Sequence, residues 1–258
     1  NLIIIYMIYG SFNIELLEIY FSFEKFNLKS IIWICFFITF AIKIPMFPFH
    51  LWLPEAHTEA PTTGSVILAA IILKVGTYGF IKFNLILLGS FINYYYSPII
   101  YLFSILSIIY SNFLIIRLID IKKIIAYSSI IHMNYAMLAL FSEDINSLIG
   151  TYYTLISHGL VSSALFLLIG VLYRRYSTRN ILYFKGLFSL MPIFSIVLMY
   201  FIISNMSLPL TPAFPGEFLI LLGVNKNSIL ISILISLFLI FSTSYNILLL
   251  NKILFGQV

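Results

Sequence analysis

The sequence is poor in charged residues and cysteine, and it lacks the short motifs with which soluble enzymes hold cofactors. Only 9% of its 258 residues are charged, against about 25% in a typical soluble domain. Because 62% are hydrophobic, the chain cannot hide its apolar surface from water, which excludes a water-soluble globule. The single cysteine, Cys35, excludes a disulfide framework. The net charge of +5 comes from residues between apolar stretches, so it is interpreted as a topology signal rather than nucleic-acid binding.

The missing motifs also limit the cofactors. There is no GxGxxG sequence, phosphate-binding loop or cysteine cluster, so the chain is predicted to hold no flavin, nucleotide or iron–sulfur centre. The four histidines lie on separate segments without the spacing of metal ligands, and no metal site is expected. Abundant Ile, Phe, Tyr, Asn and Lys, all with AT-rich codons, are typical of an organellar gene or of an AT-rich bacterium.

Long apolar stretches predict an all-α, polytopic transmembrane helix bundle. At about 20 residues per span, the chain has room for about seven spans. They are predicted at about residues 30–47, 64–83, 98–118, 122–141, 145–173, 191–223 and 228–254. Residues 1–9 resemble the end of a further helix. Residues 11–29 mix charged and apolar side chains, as in an interfacial loop or a short amphipathic helix.

Basic residues between the predicted spans are biased to one side of the membrane. That side holds Arg117, Lys122, Lys123, Arg174, Arg175, Arg179, Lys185 and Lys252. The other side holds Lys25, Lys29, Lys82 and Lys226 together with the acidic residues Glu15, Glu18, Glu24, Glu143 and Asp144. The positive-inside rule assigns the first side to the matrix or cytoplasm.

Proline residues are predicted to break two of the spans beside a charged residue. Pro45 and Pro48 follow Lys43, and Pro209, Pro212 and Pro215 precede Glu217. Each proline lacks an amide proton and crowds the preceding turn. Paired broken helices in a transporter indicate an ion pathway, although two ordinary proline kinks are the alternative. Lys43 would lie at the negative end of one half-helix and Glu217 at the positive start of another, where each charge is stabilised.

Three further ionisable residues lie in the middle of predicted spans. Lys74 is too far from either helix end to reach water easily, so a proton carrier is favoured over a lysine that only locks two helices. His132 and His158 each lie on a stripe of hydroxyl side chains that could order water, but each could equally be a histidine bonded to a neighbouring helix. His50 and His57 are expected in a loop, where they would cap or orient it.

Four runs of sequence resemble a known family. They are KIPMFPFHLWLPEAHTEAPTTGSVILAAIILKVGTYGF, DIKKIIAYSSIIHMNYAML, ISHGLVSSALFLLIGVLYRRYSTR and NMSLPLTPAFPGEFLIL. From about residue 40 onward the chain is similar to the NADH dehydrogenase subunit 4 family, the antiporter-like, proton-pumping membrane subunits of respiratory complex I. The resemblance implies two inverted five-helix repeats, each with one broken helix. Residues 1–29 would then be a helix end and interfacial loop, residues 30–83 the end of the first repeat, and residues 97–254 the second repeat, broken within 191–223.

The resemblance also implies roles for individual residues. Lys43 matches the lysine of the first broken helix, and Lys74 matches the lysine of the next helix. Glu217 matches the acidic residue of the second broken helix. His132 and His158 match histidines on the hydrophilic axis that connects these groups.

The chain departs from the family pattern at its two ends. The family's first five helices, including the glutamate that pairs with the lysine matched by Lys43, have no counterpart here, and neither has its final helix. We expect separate chains to supply these helices and the carboxylate partner of Lys43. A cropped sequence is the simpler alternative.

Three functions follow from these observations. The leading one is a proton-translocating membrane-arm subunit of NADH:ubiquinone oxidoreductase (complex I) in the mitochondrial inner membrane, with flavin, iron–sulfur clusters and ubiquinone held by other parts of the complex. Its partners would be other membrane-arm subunits and membrane lipids, with no nucleic acid. The alternative is a subunit of a multi-subunit cation/proton antiporter. A structural arm that has lost pumping is disfavoured, because a scaffold gains nothing from burying Lys43, Lys74 and Glu217.

Overall fold

The computed structural model describes residues 2–142 and 144–255 of the chain; Asn1 and Glu143, which enter the predictions above, lie outside this range. The helices are α1 (Leu2–Tyr9), α2 (Ile14–Phe23), α3 (Phe26–Lys43), α4 (Trp52–Glu59), α5 (Thr62–Leu87), α6 (Ser90–Ile115), α7 (Ile121–Leu140), α8 (Ile145–Tyr176), α9 (Leu187–Leu190), α10 (Pro192–Asn205), α11 (Phe214–Asn227) and α12 (Ile229–Leu254). A 3₁₀ turn spans Ile181–Tyr183. The prediction of an all-α transmembrane bundle is confirmed.

Five helices within the described ranges are long and apolar enough to cross a bilayer: α3, α5, α6, α8 and α12. The pair α1 and α2, bent by 76°, could form a sixth span. The prediction of about seven spans remains a prediction, because α7 is less apolar than these five and each half of the second broken helix is too short to span alone.

Helix α7 forms the centre of the bundle. All of its residues except Lys123 are buried, including the polar side chains Ser128, Ser129, His132 and Asn134. It packs against α4, α6, α8 and α11, and α8 in turn packs along α5 and α11. Because polar groups are costly to expose to lipid, their concentration on the central helix is the arrangement that a membrane favours.

Both predicted helix breaks are present. Helix α3 ends at Lys43, just before Pro45, and α4 resumes at Trp52. Helix α10 ends at Asn205, and α11 resumes at Phe214 with Pro215 in its first turn. A proline is tolerated in the first turn because the amides there have no partner within the helix.

Two expectations about boundaries are wrong. The segment predicted as a loop after residue 47 contains α4, because Pro54 lies in the first turn of that helix, where a proline fits. Helix α6 starts at Ser90 rather than near Pro98, which lies inside the helix. Gly89, with φ +84°, separates α6 from the preceding helix, so the boundary is set by a glycine rather than by the proline.

Candidate functional site

The first break is held open by side chains from neighbouring helices. Lys43 is the last residue of α3. Beyond it, the Pro45 carbonyl accepts a hydrogen bond from Asn134 Nδ2 at 3.2 Å. The Phe47 amide donates to Ser107 Oγ at 2.6 Å. A continuous helix would pair these backbone groups internally. Here side chains of neighbouring helices pair them instead and so stabilise the break.

The second break contains strained backbone and places a carboxylate at a helix start. Ser207 and Leu210 have φ angles of 53° and 72°, which are uncommon for residues other than glycine. Glu217 lies in the first turn of α11 and is buried. The positive end of the helix dipole therefore favours an ionised Glu217, as the sequence analysis predicts.

Glu217 and His132 form a hydrogen-bonded pair across the bundle. Glu217 Oε1 lies 2.8 Å from His132 Nδ1, and both side chains are only 8% exposed. Two glycines allow the close helix packing behind this pair. A Cβ atom on Gly216 would lie 2.8 Å from the Thr154 amide nitrogen, and one on Gly150 would lie 2.8 Å from the Ile220 amide nitrogen. Both contacts are closer than carbon atoms tolerate, so side chains here would push α11 away from α8.

Lys74 pairs with the second histidine. Its Nζ lies 2.8 Å from His158 Nδ1 and also donates a hydrogen bond to the Ala69 carbonyl. Helix α5 has wide, π-type turns over Leu68–Ile72, immediately before Lys74. Such turns are frequent at functional sites. His158 is buried, and Lys74 is partly exposed in a lateral groove between α5 and α8.

A small polar cavity connects the two pairs. The rings of His132 and His158 have centroids 5.7 Å apart. Both rings line a cavity of about 10 Å³ together with Thr154, Ser157 and Glu217. A polar cavity needs about 10–15 Å³ to hold a water molecule, so this one is at the lower limit for a single water. His132 Nε2 has no hydrogen-bond partner among the residues that the structure describes, so a water here would gain a polar partner.

The partners of each ring define a directional chain of donors and acceptors. When Lys74 is charged, it donates to His158 Nδ1, so the proton of neutral His158 lies on Nε2. When Glu217 is ionised, His132 Nδ1–H donates to it, so Nε2 of neutral His132 is an acceptor. The row Lys74–His158–His132–Glu217, called the buried row below, therefore has a donor on one ring and an acceptor on the other, and both rings line the cavity.

The structure brings four of the five predicted site residues together and leaves Lys43 apart. The Lys43 side chain is exposed, and within residues 2–142 and 144–255 its ammonium group has no ion pair or hydrogen bond. Its backbone is nevertheless close to the buried row. A Cβ atom on Gly76, two residues after Lys74, would lie 3.2 Å from Lys43 Cβ.

His57 is a neighbour of the buried row that the sequence analysis missed. It belongs to α4 rather than to a loop, and its buried ring stacks on Phe166 with centroids 4.4 Å apart and planes 8° apart. Phe166 follows His158 by about two turns of α8. The signal was available in Pro54, which is compatible with the first turn of a helix that would carry His57 inward.

Metal coordination finds no support in the part of the chain that the structure covers. No group of three or more His, Cys, Asp or Glu side chains is arranged there to hold a metal ion. The histidine, lysine and glutamate side chains of the buried row can exchange protons through their own nitrogen and oxygen atoms.

Comparisons with known sequences show the family of the chain. A family profile described as NADH:quinone oxidoreductase/Mrp antiporter, transmembrane, matches residues 1–243. The chain is 49% identical over 229 residues to NADH-ubiquinone oxidoreductase chain 4 of Marchantia polymorpha, covering 89% of this chain and 46% of that protein. It is 45% identical over 255 residues to the protein of the same name from Prototheca wickerhamii, covering 99% of this chain and 48% of that protein. The chain thus spans about half the length of the curated relatives it matches.

Solved structures give the same fold. A chain of respiratory complex I from Thermus thermophilus, determined with bound NADH, superimposes with a TM-score of 0.82 at 30% identity, covering 91% of this chain and 50% of that chain. A chain of the Mrp complex from Dietzia sp. DQ12-45-1b superimposes with a TM-score of 0.90 at 18% identity, covering 98% of this chain and 47% of that chain. The second likeness is evidence for the antiporter-like fold alone.

Proposed function

Because the chain belongs to the NADH:quinone oxidoreductase/Mrp antiporter transmembrane family, we propose that it translocates protons as a membrane-arm subunit of NADH:ubiquinone oxidoreductase, complex I. The names of its relatives support this assignment, and their plant and algal sources support a place in the mitochondrial inner membrane. NADH oxidation and quinone reduction would take place on other subunits, which would hold the flavin and the iron–sulfur clusters.

The buried row carries this proposal. Lys74, His158, His132 and Glu217 come from four different helices and meet inside the bundle, linked by two contacts of 2.8 Å and one cavity. A charged side chain in the membrane is costly, so four ionisable groups in line favour transport over a purely structural role.

In this mechanism a proton moves by short steps between fixed atoms. Lys74 gives a proton to His158 Nδ1, and the Nε2 proton of His158 crosses the cavity to His132 Nε2. The Nδ1 proton of His132 then passes to Glu217, which becomes neutral. The first and last steps join atoms 2.8 Å apart, which is the reach that proton transfer requires. The middle step crosses the cavity between two rings whose centroids are 5.7 Å apart.

Lys43 would complete the path with a partner from outside these residues. Its exposed ammonium lies at the end of α3, next to the helix segment that carries Lys74. We propose that a carboxylate from outside residues 1–258 pairs with Lys43. An assembled complex with no carboxylate beside Lys43 would disprove this pairing.

Substitution of Lys74 tests the proposed function. In vesicles containing the assembled complex, Lys74→Ala should lower the number of protons moved per NADH oxidised, because the buried row loses its first donor. The matched control is Lys82→Ala, two turns further along α5, which should leave that ratio unchanged. An unchanged ratio with Lys74→Ala removes the buried row from the proton path.

A cation/proton antiporter subunit is the second candidate, supported by the family description, which includes the Mrp antiporter. The two functions differ in what drives transport and in what the chain assembles with. Co-purification with flavoprotein and iron–sulfur subunits, and proton movement that requires NADH, supports complex I. Proton movement driven by a sodium gradient without NADH supports the antiporter.

A further inference from the structure

Three connecting segments meet at the C-terminal end of α4, on the side that is rich in basic residues. The segment after α4 is the first, the segment leading into α7 is the second, and the segment after α8 is the third. The last two are joined by backbone hydrogen bonds of 3.0 Å, from the Ile121 amide to the Arg179 carbonyl and from the Ile181 amide to the Ile119 carbonyl. The residues around Arg179 therefore have a fixed place beside the start of α7.

Two cations from these segments bind the carbonyl groups at the end of α4. Lys122 Nζ donates to the Ala60 carbonyl at 3.0 Å and to the His57 carbonyl at 3.3 Å. Arg179 Nη1 donates to the Thr58 carbonyl at 2.6 Å. The last carbonyls of a helix have no partner within it and carry the negative end of its dipole, so both cations are favourably placed. We call this arrangement the two-cation cap.

Burial distinguishes the two-cation cap from ordinary surface charges. Lys122 is only 2% exposed and forms no ion pair within the described residues; its hydrogen bonds go to carbonyl oxygens. Burial of a charged ammonium group is costly unless the polar groups around it bind it, as the carbonyl oxygens do here. Loss of Lys122 would remove a charged donor from the Ala60 carbonyl, and loss of Arg179 would remove one from the Thr58 carbonyl, whereas the His57 carbonyl would keep its hydrogen bond from Ser65 Oγ at 3.2 Å. A partly buried carbonyl that loses its donor costs more than the net gain from an average hydrogen bond.

The helix end that the cap holds lies next to the buried row. His57, in the last turn of α4, supplies one of the capped carbonyls while its ring stacks on Phe166 of α8. His158 lies on the same helix as Phe166, and a Cβ atom on Gly170 of α8 would lie 2.5 Å from Thr62 Cγ2, so the turn after α4 contacts α8 closely. A displaced α4 end would therefore move His57 relative to the Lys74–His158 pair.

We propose that Lys122 and Arg179 are positioning residues, which hold the second half of the first broken helix in place by capping its C-terminal carbonyls and thereby fix His57 beside the buried row. This inference rests on the proposed function for its effect on proton transport. The cap itself can be tested independently, because it predicts a local change in helix stability.

The test uses the assembled complex with Arg179→Met or Lys122→Met in this chain. Hydrogen–deuterium exchange of peptides covering the last turn of α4 should become roughly tenfold faster or more, since a hydrogen bond from a charged donor is lost. The number of protons moved per NADH oxidised should fall as well. A merely structural defect would lower the amount of assembled complex instead of this ratio. Arg179→Lys, which keeps a cation, should restore part of both losses.

The matched control is Arg174→Met, because Arg174 is exposed and, in the described part of the chain, no hydrogen bond or ion pair joins its side chain to α4. Neither exchange nor the proton ratio should change in this variant. Unchanged exchange in both Arg179→Met and Lys122→Met would overturn the cap. Faster exchange with an unchanged proton ratio, in a complex whose ratio does fall with Lys74→Ala, would overturn the positioning role and leave the proposed function intact. If Lys74→Ala has no effect, the proposed function fails, while the exchange result still decides the cap.

Discussion

Replacement of Glu217 by glutamine is the sharpest perturbation of the buried row. Glu217 Oε1 lies 2.8 Å from His132 Nδ1, and each side chain is only 8% exposed. Glutamine has nearly the same shape and still accepts a hydrogen bond from Nδ1, so the helices should stay in place. It cannot take up a proton, however, so transfer out of His132 has no acceptor.

The structure gives magnitudes for both effects. A hydrogen bond to a charged group contributes about 1.5–3 kcal/mol and a neutral one about 0.5–1.5 kcal/mol, so Glu217→Gln should lower the free energy of unfolding by about 1–2 kcal/mol. A positioned acid or base contributes on the order of a hundredfold or more to a proton-transfer rate, so transport through this chain should fall by at least about that factor.

The assay is the initial rate of NADH-driven proton movement in vesicles containing the assembled complex, at equal complex content. The matched control is Glu55→Gln, because Glu55 is 68% exposed and pairs with Lys123 at the surface. Such a pair is worth about 0–1 kcal/mol, so the control should be nearly neutral. Equal transport in Glu217→Gln and Glu55→Gln would refute the reasoning, because the only buried carboxylate of the row would then be dispensable.

Three further predictions follow from other contacts. Gly216→Ala should separate α11 from α8, which lowers the free energy of unfolding by about 1–3 kcal/mol and slows proton transport. In the matched control Gly64→Ala the new Cβ atom has contacts of 3.5 Å or more, so thermal denaturation of this variant should be unchanged. Lys43→Ala should slow transport without preventing assembly; unaltered proton movement would place Lys43 outside the path. The hydrogen bond from Lys226 holds the pKa of Asp144 below its ordinary value. This pair therefore stabilises the fold fully above about pH 4 and loses its effect as the pH falls through the lowered pKa. Asp144→Asn should remove this part of the loss of stability in acid, and an unchanged dependence of stability on pH would contradict the prediction.

Local chemistry explains which parts of the fold could be predicted. The C-terminal end of α3 and the start of α11 could be predicted from Pro45 and Pro215. Proline ends a helix or fits its first turn because it lacks an amide proton, and this effect does not depend on the surrounding helices. The place of Lys43 and Glu217 at helix ends follows in the same way. Pro98 is the counterexample, since it is accommodated inside α6 and the boundary instead lies at Gly89.

Contacts between helices explain what could not be predicted. The residue patterns single out Lys74, His132 and His158 as candidates, but their pairing depends on how α5, α7 and α8 pack, which no spacing along the chain reveals. The burial of α7 on all sides and the capping of α4 by Arg179 depend on the same packing. His57 was missed because a helix as short as α4 is stabilised mainly by its neighbours rather than by its own sequence.

The central claim is that the buried row is one continuous proton path. The step between the two histidine rings has no direct hydrogen bond and depends on the cavity between them. A cryo-EM map of the assembled complex, at a resolution that reveals ordered water, tests this step most directly. The account predicts density for a water molecule within hydrogen-bonding distance of His132 Nε2 and the ring of His158. Rings separated by dry, apolar packing, with no water and no direct contact, would contradict it.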